Sequence, residues 1–283
     1  RRADGEVVER YARNVALGVG GSARVPEQFK SLAGQAGVFH SSQYLPKIKQ
    51  LPDGPCRIAI IGAGQSAAEI FMDLHNRNPE YQVDIIARSR ALKPADDSSF
   101  VNEVFNPGYT DFIYKSEDKA RSKLLNEFSN TNYAVVDLPL IEEIYQTLYL
   151  QKVNKKEHHR FLRCHQVEQV CIARDKTELT LRNLDSNAVF QQQYDAVVLA
   201  TGYQRRLHHD ILAPLEQWAK PDQTDRLYRL PTESNFLPQI FLQGCSEATH
   251  GLSDTLLSVM SIRAAEIRDA ILDTTVEPEK ARA

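Results

Sequence analysis

Ile58-Ala59-Ile60-Ile61-Gly62-Ala63-Gly64-Gln65-Ser66-Ala67-Ala68-Glu69 is the stretch on which the fold turns. A strand-sized apolar run leads into Gly-x-Gly-x-x-Ala and then into a segment with helical spacing. This strand–turn–helix setting is what a dinucleotide-binding fingerprint needs. Gly62 permits the tight turn, Gly64 lets backbone N–H groups approach a pyrophosphate, and Ala67 keeps the helix close to the sheet. The helix N-terminus then faces the phosphates. The plainer alternative is a glycine turn between strand and helix with no ligand.

Moving outward, the next strand, Val83-Asp84-Ile85-Ile86-Ala87, ends in Arg88-Ser89-Arg90, with Arg88 standing 26 positions after Gly62. NAD enzymes place a carboxylate near the end of this strand to hold the ribose 2′-hydroxyl. A guanidinium there can instead pair bidentately with a 2′-phosphate, which a carboxylate would repel. Arg88 therefore points to NADPH, the competing reading being a solvated surface arginine.

Around this unit the pattern is α/β. Beyond the strand at 57–61, helix at 66–76 and strand at 83–87, helical patterns are expected around 117–129 and 139–152. Strand-like stretches recur at 166–173, 178–182 and 194–200, with a last strand at 239–244 and a last helix at 254–272. Residues 7–18 read as a short strand with no preceding partner. Pro46, Pro52 and Pro55 read as a linker, and 91–112 as a long functional loop.

The 283 residues suffice for one large domain or two modest ones. Apolar residues at 42% and charged residues at 25% give an ordinary globular balance. A formal net charge of −3 argues against a nucleic-acid partner. No apolar run approaches a membrane span. Cys56, Cys164, Cys171 and Cys245 are widely spaced, suit neither a metal site nor a redox dithiol, and read as reduced thiols. No apolar stretch follows Arg1-Arg2, so no signal peptide is expected and a cytoplasmic location is.

Two patterns suggest a second nucleotide. Tyr194-Asp195-Ala196-Val197-Val198-Leu199-Ala200-Thr201-Gly202-Tyr203 is a buried strand ending in Ala-Thr-Gly, and Leu17-Gly18-Val19-Gly20-Gly21 has similar form. Such strands can mark where a chain passes between two nucleotide-binding domains. In Thr249-His250-Gly251-Leu252-Ser253-Asp254-Thr255-Leu256-Leu257-Ser258, Ser253 or Asp254 could N-cap a helix. That helix could aim N–H groups at an anionic reduced flavin ring, or be simply a capped C-terminal helix.

The run Lys93-Pro94-Ala95-Asp96-Asp97-Ser98-Ser99-Phe100-Val101-Asn102-Glu103-Val104-Phe105-Asn106-Pro107 resembles the substrate loop of the flavin-dependent L-ornithine N5-monooxygenases. Asn130-Thr131-Asn132-Tyr133, Leu140-Ile141-Glu142-Glu143-Ile144-Tyr145, Ala200-Thr201-Gly202-Tyr203 and Thr249-His250-Gly251-Leu252-Ser253-Asp254 resemble the same family, in order, along nearly the whole chain. Lysine N6-hydroxylases are similar in plan, but the Asp-Asp-Ser and Asn-Glu-Val-Phe-Asn wording is nearer the ornithine enzymes.

The resemblance implies a two-dinucleotide-binding-domain flavoprotein monooxygenase fold, with an NADPH domain inserted in an FAD domain. The expected segments are 1–53, the tail of the FAD domain and a linker; 54–203, the NADPH domain with the substrate loop; and 204–283, the C-terminal part of the FAD and substrate domain. It implies N-hydroxylation of the L-ornithine side-chain amine with FAD, NADPH and O2, for hydroxamate siderophore biosynthesis. A homo-oligomer is expected.

Gly62, Ala63, Gly64, Gln65, Ser66, Ala67 and Arg88 would then bind NADPH. Asn132, Tyr133 and Ala134 would approach its nicotinamide side. Asn102, Glu103, Val104 and Phe105 would line the ornithine pocket, with Asn102 the residue most directly tied to catalysis. Asn102 and Asn132 would hydrogen-bond the substrate, Ser258 would touch it, and Thr255, Leu256 and Leu257 would touch the flavin. Amides suit this work because they donate and accept without adding charge. Apart from the family, each asparagine reads as a turn or cap residue.

Two departures stand out. Ala134 follows Asn132-Tyr133 where the family usually has serine. The family's Gly-x-Gly-x-x-Asn flavin fingerprint and substrate-anchoring lysine do not occur in this sequence, so residues 1–21 are expected to be the tail of a flavin domain. A lysine hydroxylase and a non-catalytic NADP-binding remnant are the alternatives. A plain NADPH-dependent reductase is disfavoured, since neither a Tyr-x-x-x-Lys pair nor a redox dithiol is found.

Overall fold

Cys56–Ile61 and Tyr81–Ala87 are buried along most of their length, as strands covered on both faces must be. The computed structural model describes residues 5–32, 34, 35 and 37–275. It divides into two compact units. One comprises the described parts of Ala23–Asp96 and Asn130–Gln204, the other those of Arg1–Ser22, Asp97–Ser129 and Arg205–Ala283.

The first unit is α/β. In chain order it contains β1 (Val38–His40), β2 (Cys56–Ile61), α1 (Gln65–Arg77), β3 (Tyr81–Ala87), α2 (Leu138–Val153), β4 (Arg160–Arg163), β5 (His165–Ala173), β6 (Lys176–Asn183), β7 (Val189–Tyr194) and β8 (Ala196–Leu199). Five strands form a parallel sheet in the order β1-β8-β2-β3-β4. Pairings such as Leu199 with both His40 and Ile61 bring the carboxyl ends to one edge. Strands β5, β6 and β7 form a separate antiparallel sheet.

Strand alternation explains the layering. Ile58, Ile60, Val83 and Ile85 point to one face, where Ala67, Ala68, Phe71 and Leu74 of α1 and Ile144 of α2 cover them. Ala59, Ile86, Val197 and Leu199 point to the other, covered by Val167, Leu179, Leu181 and Tyr194. Asp84 lies on that second face with 0% exposure. Arg160 donates to it at 2.8 and 2.5 Å and the Tyr194 hydroxyl at 2.9 Å, so the buried charge is paired.

The second unit pairs Asn14–Leu17 with Gln239–Leu242 in parallel, Val15 opposite Ile240. The early strand therefore has a partner, supplied from the far end of the sequence. Arg226 joins the helix Pro107–Lys115 to the helix Met260–Thr275, through Asp111 at 2.5 Å and Glu266 at 2.7 Å.

Several further expectations are corrected. Tyr44–Ile48 is a helix at the expected linker, and Pro46 lies in its first turn, where no intrahelical N–H is needed. Residues 91–112 hold Ser99–Asn102, a 3-10 turn at Glu103–Phe105 and the start of Pro107–Lys115 rather than an irregular loop. Pro107 opens that helix, a position its ring favours. The stretch 194–200 splits at Asp195, whose carboxylate accepts from the Arg57 N–H at 2.8 Å. The last helix starts at Met260, after a 3-10 turn at Leu252–Thr255, so Ser253 and Asp254 do not cap it. Strands β1, β4 and β7 were not among the expected strands. Among the described residues no helix is long and apolar enough to cross a membrane.

His159, beside the sheet, carries a pH dependence. Its Nδ1 accepts the Val83 N–H at 3.1 Å, so the ring proton sits on Nε2, which donates to His75 Nδ1 at 3.0 Å. Burial lowers its pKa from 6.5 to about 4. The folded state favours the neutral ring; the stability this gives is complete above the unfolded pKa and lost as pH falls from about 6.5 towards 4. Roughly 2 kcal/mol should disappear between pH 7 and pH 5, from the 1.36 kcal/mol carried by each pKa unit. Urea unfolding at the two pH values measures the loss. His159→Phe should be less stable at pH 7 and show a shallower decline, and equal slopes in both proteins would assign the dependence elsewhere.

Candidate functional site

At the carboxyl edge of the parallel sheet, β2 runs through Gly62 into α1. Gly62 has φ +141°, and its N–H bonds to Ile86 O at 3.0 Å. A Cβ on Gly62 would lie 2.2 Å from the carbonyl oxygen of Ala200, so only glycine passes here. Gly64 is different: it has φ −99°, and a Cβ there would meet nothing nearer than Ala134 Cα at 3.7 Å. The protein leaves room beside Gly64.

Two of the expected nucleotide-binding groups are thus brought together in the first unit. The Asn132-Tyr133-Ala134 turn lies against Gly64, with Ala134 at φ +56°. Gln65 ties the two segments, its Oε1 accepting the Asp137 N–H at 2.9 Å and its Nε2 donating to Asp137 Oδ2 at 2.9 Å. Ala63 is half-buried, Ser66 is exposed, and Ala67 is fully buried under the sheet contact. The Nδ2 of Asn132 is buried without a hydrogen-bond partner, while Tyr133 is 48% exposed. An orphaned buried amide N–H is costly, and it marks a place where a ligand acceptor fits.

The end of β3 sorts its two arginines. Arg90 is held bidentately by Asp185 at 2.7 and 2.6 Å, whereas Arg88 is exposed. Between them the Ser89 hydroxyl is buried and unpartnered. Ser89 was not among the expected site residues; its position directly after Arg88 was the available signal. Of the two arginines, Arg88 is the one whose guanidinium could meet a phosphate.

The remaining expected residues lie in the second unit. Asn102 is exposed and its Nδ2 donates to Asp97 O at 2.8 Å, which leaves Oδ1 to accept. Glu103 is exposed, Val104 is buried, and Phe105 is half-buried. Val104 and Leu252 line one small apolar cavity with Tyr109, Ile113, Leu124 and Phe128. The expected substrate loop and the segment before the expected flavin contacts therefore meet. Thr255 and Leu256 are half-buried, Leu257 is 80% exposed, and Ser258 is exposed.

Asp254 anchors this segment. Its carboxylate accepts the Ser246 N–H at 2.6 Å and pairs with the Arg263 guanidinium at 3.1 Å, with both side chains almost fully buried. Among the described residues no group of three His, Cys, Asp or Glu is placed to hold a metal ion.

Comparison with known proteins gives the chain's family. The family model described as L-lysine 6-monooxygenase/L-ornithine 5-monooxygenase matches residues 1–205. The chain is 47% identical over 274 residues to an L-ornithine N(5)-monooxygenase of Pseudomonas aeruginosa, covering 96% of this chain and 62% of that protein. The corresponding values are 45%, 89% and 58% for an L-ornithine N(5)-monooxygenase of Burkholderia cepacia. The chain therefore spans about 60% of the length of these relatives.

Among solved structures, the reduced form of the ornithine hydroxylase PvdA from Pseudomonas aeruginosa superposes with a TM-score of 0.91, covering 95% of this chain and 64% of that one at 47% identity. The Kutzneria sp. 744 ornithine N-hydroxylase KtzI, solved with reduced FAD, NADP+ and L-ornithine, gives a TM-score of 0.84 at 30% identity, covering 93% and 63%. The α/β fold is thus that of the flavin N-hydroxylases, and the chain belongs to the L-lysine 6-monooxygenase/L-ornithine 5-monooxygenase family.

Proposed function

We propose that this chain is part of an enzyme that N-hydroxylates the side-chain amine of L-ornithine, using FAD, NADPH and O2. The N5-hydroxyornithine product would enter hydroxamate siderophore assembly. The proposed setting is the cytoplasm, and the proposed partners are L-ornithine, O2 and further copies of the chain. The strongest support is the 47% identity to an ornithine enzyme along 96% of the chain. A second relative, at 45% identity over 89% of the chain, is also an ornithine enzyme, which supports ornithine over lysine.

NADPH fits the first unit's observed groups. Gly62 through Ala67 would form the pyrophosphate turn, with Gly64 giving the close approach and α1 its N-terminus. Arg88 would take the 2′-phosphate. Asn132, whose amide N–H is otherwise unspent, would donate to the nicotinamide side or the substrate, with Tyr133 and Ala134 beside it. FAD would meet Thr255, Leu256 and the largely exposed Leu257. When bound and reduced, FAD supplies the oxygen-activating chemistry.

The chain's own part is positioning. The free Oδ1 of Asn102 would accept a hydrogen bond from ornithine, and Asn132 and Ser258 would add further contacts. Glu103, Val104 and Phe105 would shape the pocket wall, Val104 being buried behind it. The amine must be neutral to react. A lining of amides and apolar groups favours that form, because desolvation penalises the ammonium. Holding a small flexible substrate by several fixed partners is how such a site gains rate without a general base.

Two glycines and one arginine test the nucleotide assignment. Gly62→Ala should cost at least roughly 2–3 kcal/mol of stability through overpacking against Ala200. Gly64→Ala should change stability by less than about 1 kcal/mol, on the scale of a tolerated exposed substitution, yet weaken NADPH binding. Arg88→Ala should weaken NADPH binding by about 1–3 kcal/mol, as loss of a charge-assisted bond does, and leave NADH binding nearly unchanged. Urea unfolding and calorimetric titration separate the effects, and equal losses for both coenzymes would remove Arg88 from the 2′-phosphate.

The substrate assignment is tested in the intact enzyme. Replacing Asn102 or Asn132 by Ala should lower ornithine affinity and the yield of hydroxylated ornithine per NADPH consumed, while NADPH-driven flavin reduction largely survives. The shortfall should appear as hydrogen peroxide. Wild-type yield with unchanged ornithine affinity in both variants would show that neither side chain holds the substrate.

A further inference from the structure

The run Arg88-Ser89-Arg90 leaves the end of β3 with two exposed arginines, and the fold has committed one of them. Asp185 accepts from Arg90 Nη1 at 2.7 Å and from Nη2 at 2.6 Å, a bidentate fork. Arg88 has no ion pair among the described residues.

Asp185 reaches Arg90 from the turn between β6 and β7, which is stitched to the end of β3. The Ser89 carbonyl accepts the Cys164 N–H at 3.1 Å, and the Cys164 carbonyl accepts the Leu184 N–H at 2.7 Å. Backbone bonds thus bring the carboxylate to this corner, where the Cys164 thiol also bonds to it. The turn itself is built by another residue. The Asn183 side chain accepts the N–H groups of Asp185 and Ser186 at 2.9 Å each, and the Asn183 N–H donates to Ala188 O at 2.8 Å. With side chains 76% and 46% exposed, the Arg90–Asp185 pair adds little to stability. What the pair does change is the charge that this corner presents.

Two residues of chain span at most about 7 Å, so the guanidinium groups of Arg88 and Arg90 can meet on one phosphate. With Asp185 in place, Arg90 is neutralised and both of its Nη groups are engaged. A phosphomonoester has a second pKa of about 6, so a 2′-phosphate is close to doubly charged at neutral pH. It would be denied Arg90 and repelled by the carboxylate. NADH lacks that phosphate and would feel neither effect.

We propose that Asp185 is a specificity-determining residue: by holding Arg90 it withholds a second arginine from the 2′-phosphate of NADPH, and so limits the preference for NADPH over NADH. The inference rests on the reading that this phosphate lies at Arg88.

Equilibrium titration of the intact enzyme with NADP+ and NAD+, oxidised coenzymes that do not reduce the flavin, tests it. Asp185→Asn should tighten NADP+ about three- to tenfold, the size of one or two exposed charge contacts, and leave NAD+ within about twofold. The gain should shrink on going from about 0.05 to 0.5 M salt, because exposed charges are screened. In an Arg90→Ala background the same change should tighten NADP+ by less than about twofold, since the freed donors are gone. In an Arg88→Ala background it should restore part of the lost NADP+ affinity. Asp185→Ala should act as Asp185→Asn does.

Unchanged or weaker NADP+ binding in both Asp185 variants, equal tightening of the two coenzymes, or an equal gain with and without Arg90 would each overturn the role of Asp185. Loss of folding in both variants by circular dichroism would show that the carboxylate holds the turn, and would overturn it too. The Arg88 reading fails separately. If Arg88→Ala costs NADP+ and NAD+ equally while Asp185→Asn still favours NADP+, the phosphate belongs to Arg90 and only Arg88 is misassigned. If neither change discriminates between the coenzymes, both assignments fall.

Discussion

The close approach of Gly62 to Ala200 organises the carboxyl edge of the parallel sheet. Strands β2 and β8 are neighbours, and their turns leave the sheet at the same level, Leu199 being paired with Ile61. A single methyl group at position 62 would sit 2.2 Å from the Ala200 oxygen. The turn after β8 is held in turn by Gly202, whose carbonyl accepts from the Arg24 N–H at 3.0 Å and lies 2.9 Å from His40 Nε2 at the end of β1. Three strand ends are therefore locked together around one residue without a side chain. The start of α1, and with it the free N–H groups of its first turn, inherits its position from that lock.

Buried polar groups divide into two kinds. Asp84 and Asp254 are charges inside the two units, and each is satisfied: Asp84 by Arg160 and Tyr194, Asp254 by Arg263 and the Ser246 N–H. Removing a partner from such a pair leaves an uncompensated charge, typically costing 3–5 kcal/mol, about a third or more of a domain's whole stability. These groups fix the framework. Asn132 Nδ2 and the Ser89 hydroxyl are buried and unpaired, as are Ser41 Oγ, His158 Nε2, His208 Nδ1 and Arg263 Nε. Each such group costs the folded protein its desolvation penalty.

How far the sequence was legible follows from the range of the interactions. The fingerprint from Ile58 to Glu69 is local, because strand, turn and helix are contiguous, and α1 begins within a residue of its expected start. The strand at Asn14–Leu17 could be read as a strand but not placed, since its partner begins at Gln239. Pro46 reads as part of a linker, yet it occupies a first helical turn, as Pro107 does, where a missing N–H is harmless. Asp254 looked like a cap because its composition is right for one; a remote arginine, Arg263, claimed it instead. That Arg90 is held by Asp185, nearly a hundred residues away, was not legible. Ser89 was missed because a serine after a strand looks like a turn former, and only burial reveals its spare hydroxyl.

Gly62 and Gly64 show how structure adds a distinction the motif itself cannot make. In the sequence both are fingerprint glycines of equal standing. In the fold Gly62 is required by the protein alone, through positive φ and the Ala200 carbonyl, whereas Gly64 has φ −99° and a Cβ there would make only ordinary contact with Ala134 Cα at 3.7 Å. Gly64 is the N-cap of α1, where glycine is a favoured residue, so its presence alone does not call for a ligand. The nucleotide proposed above would use the room at Gly64 and lie along the turn that holds the unpaired amide N–H of Asn132. The two observations are separate, each arising from a different term of the physics: van der Waals room in one case, hydrogen-bond satisfaction in the other.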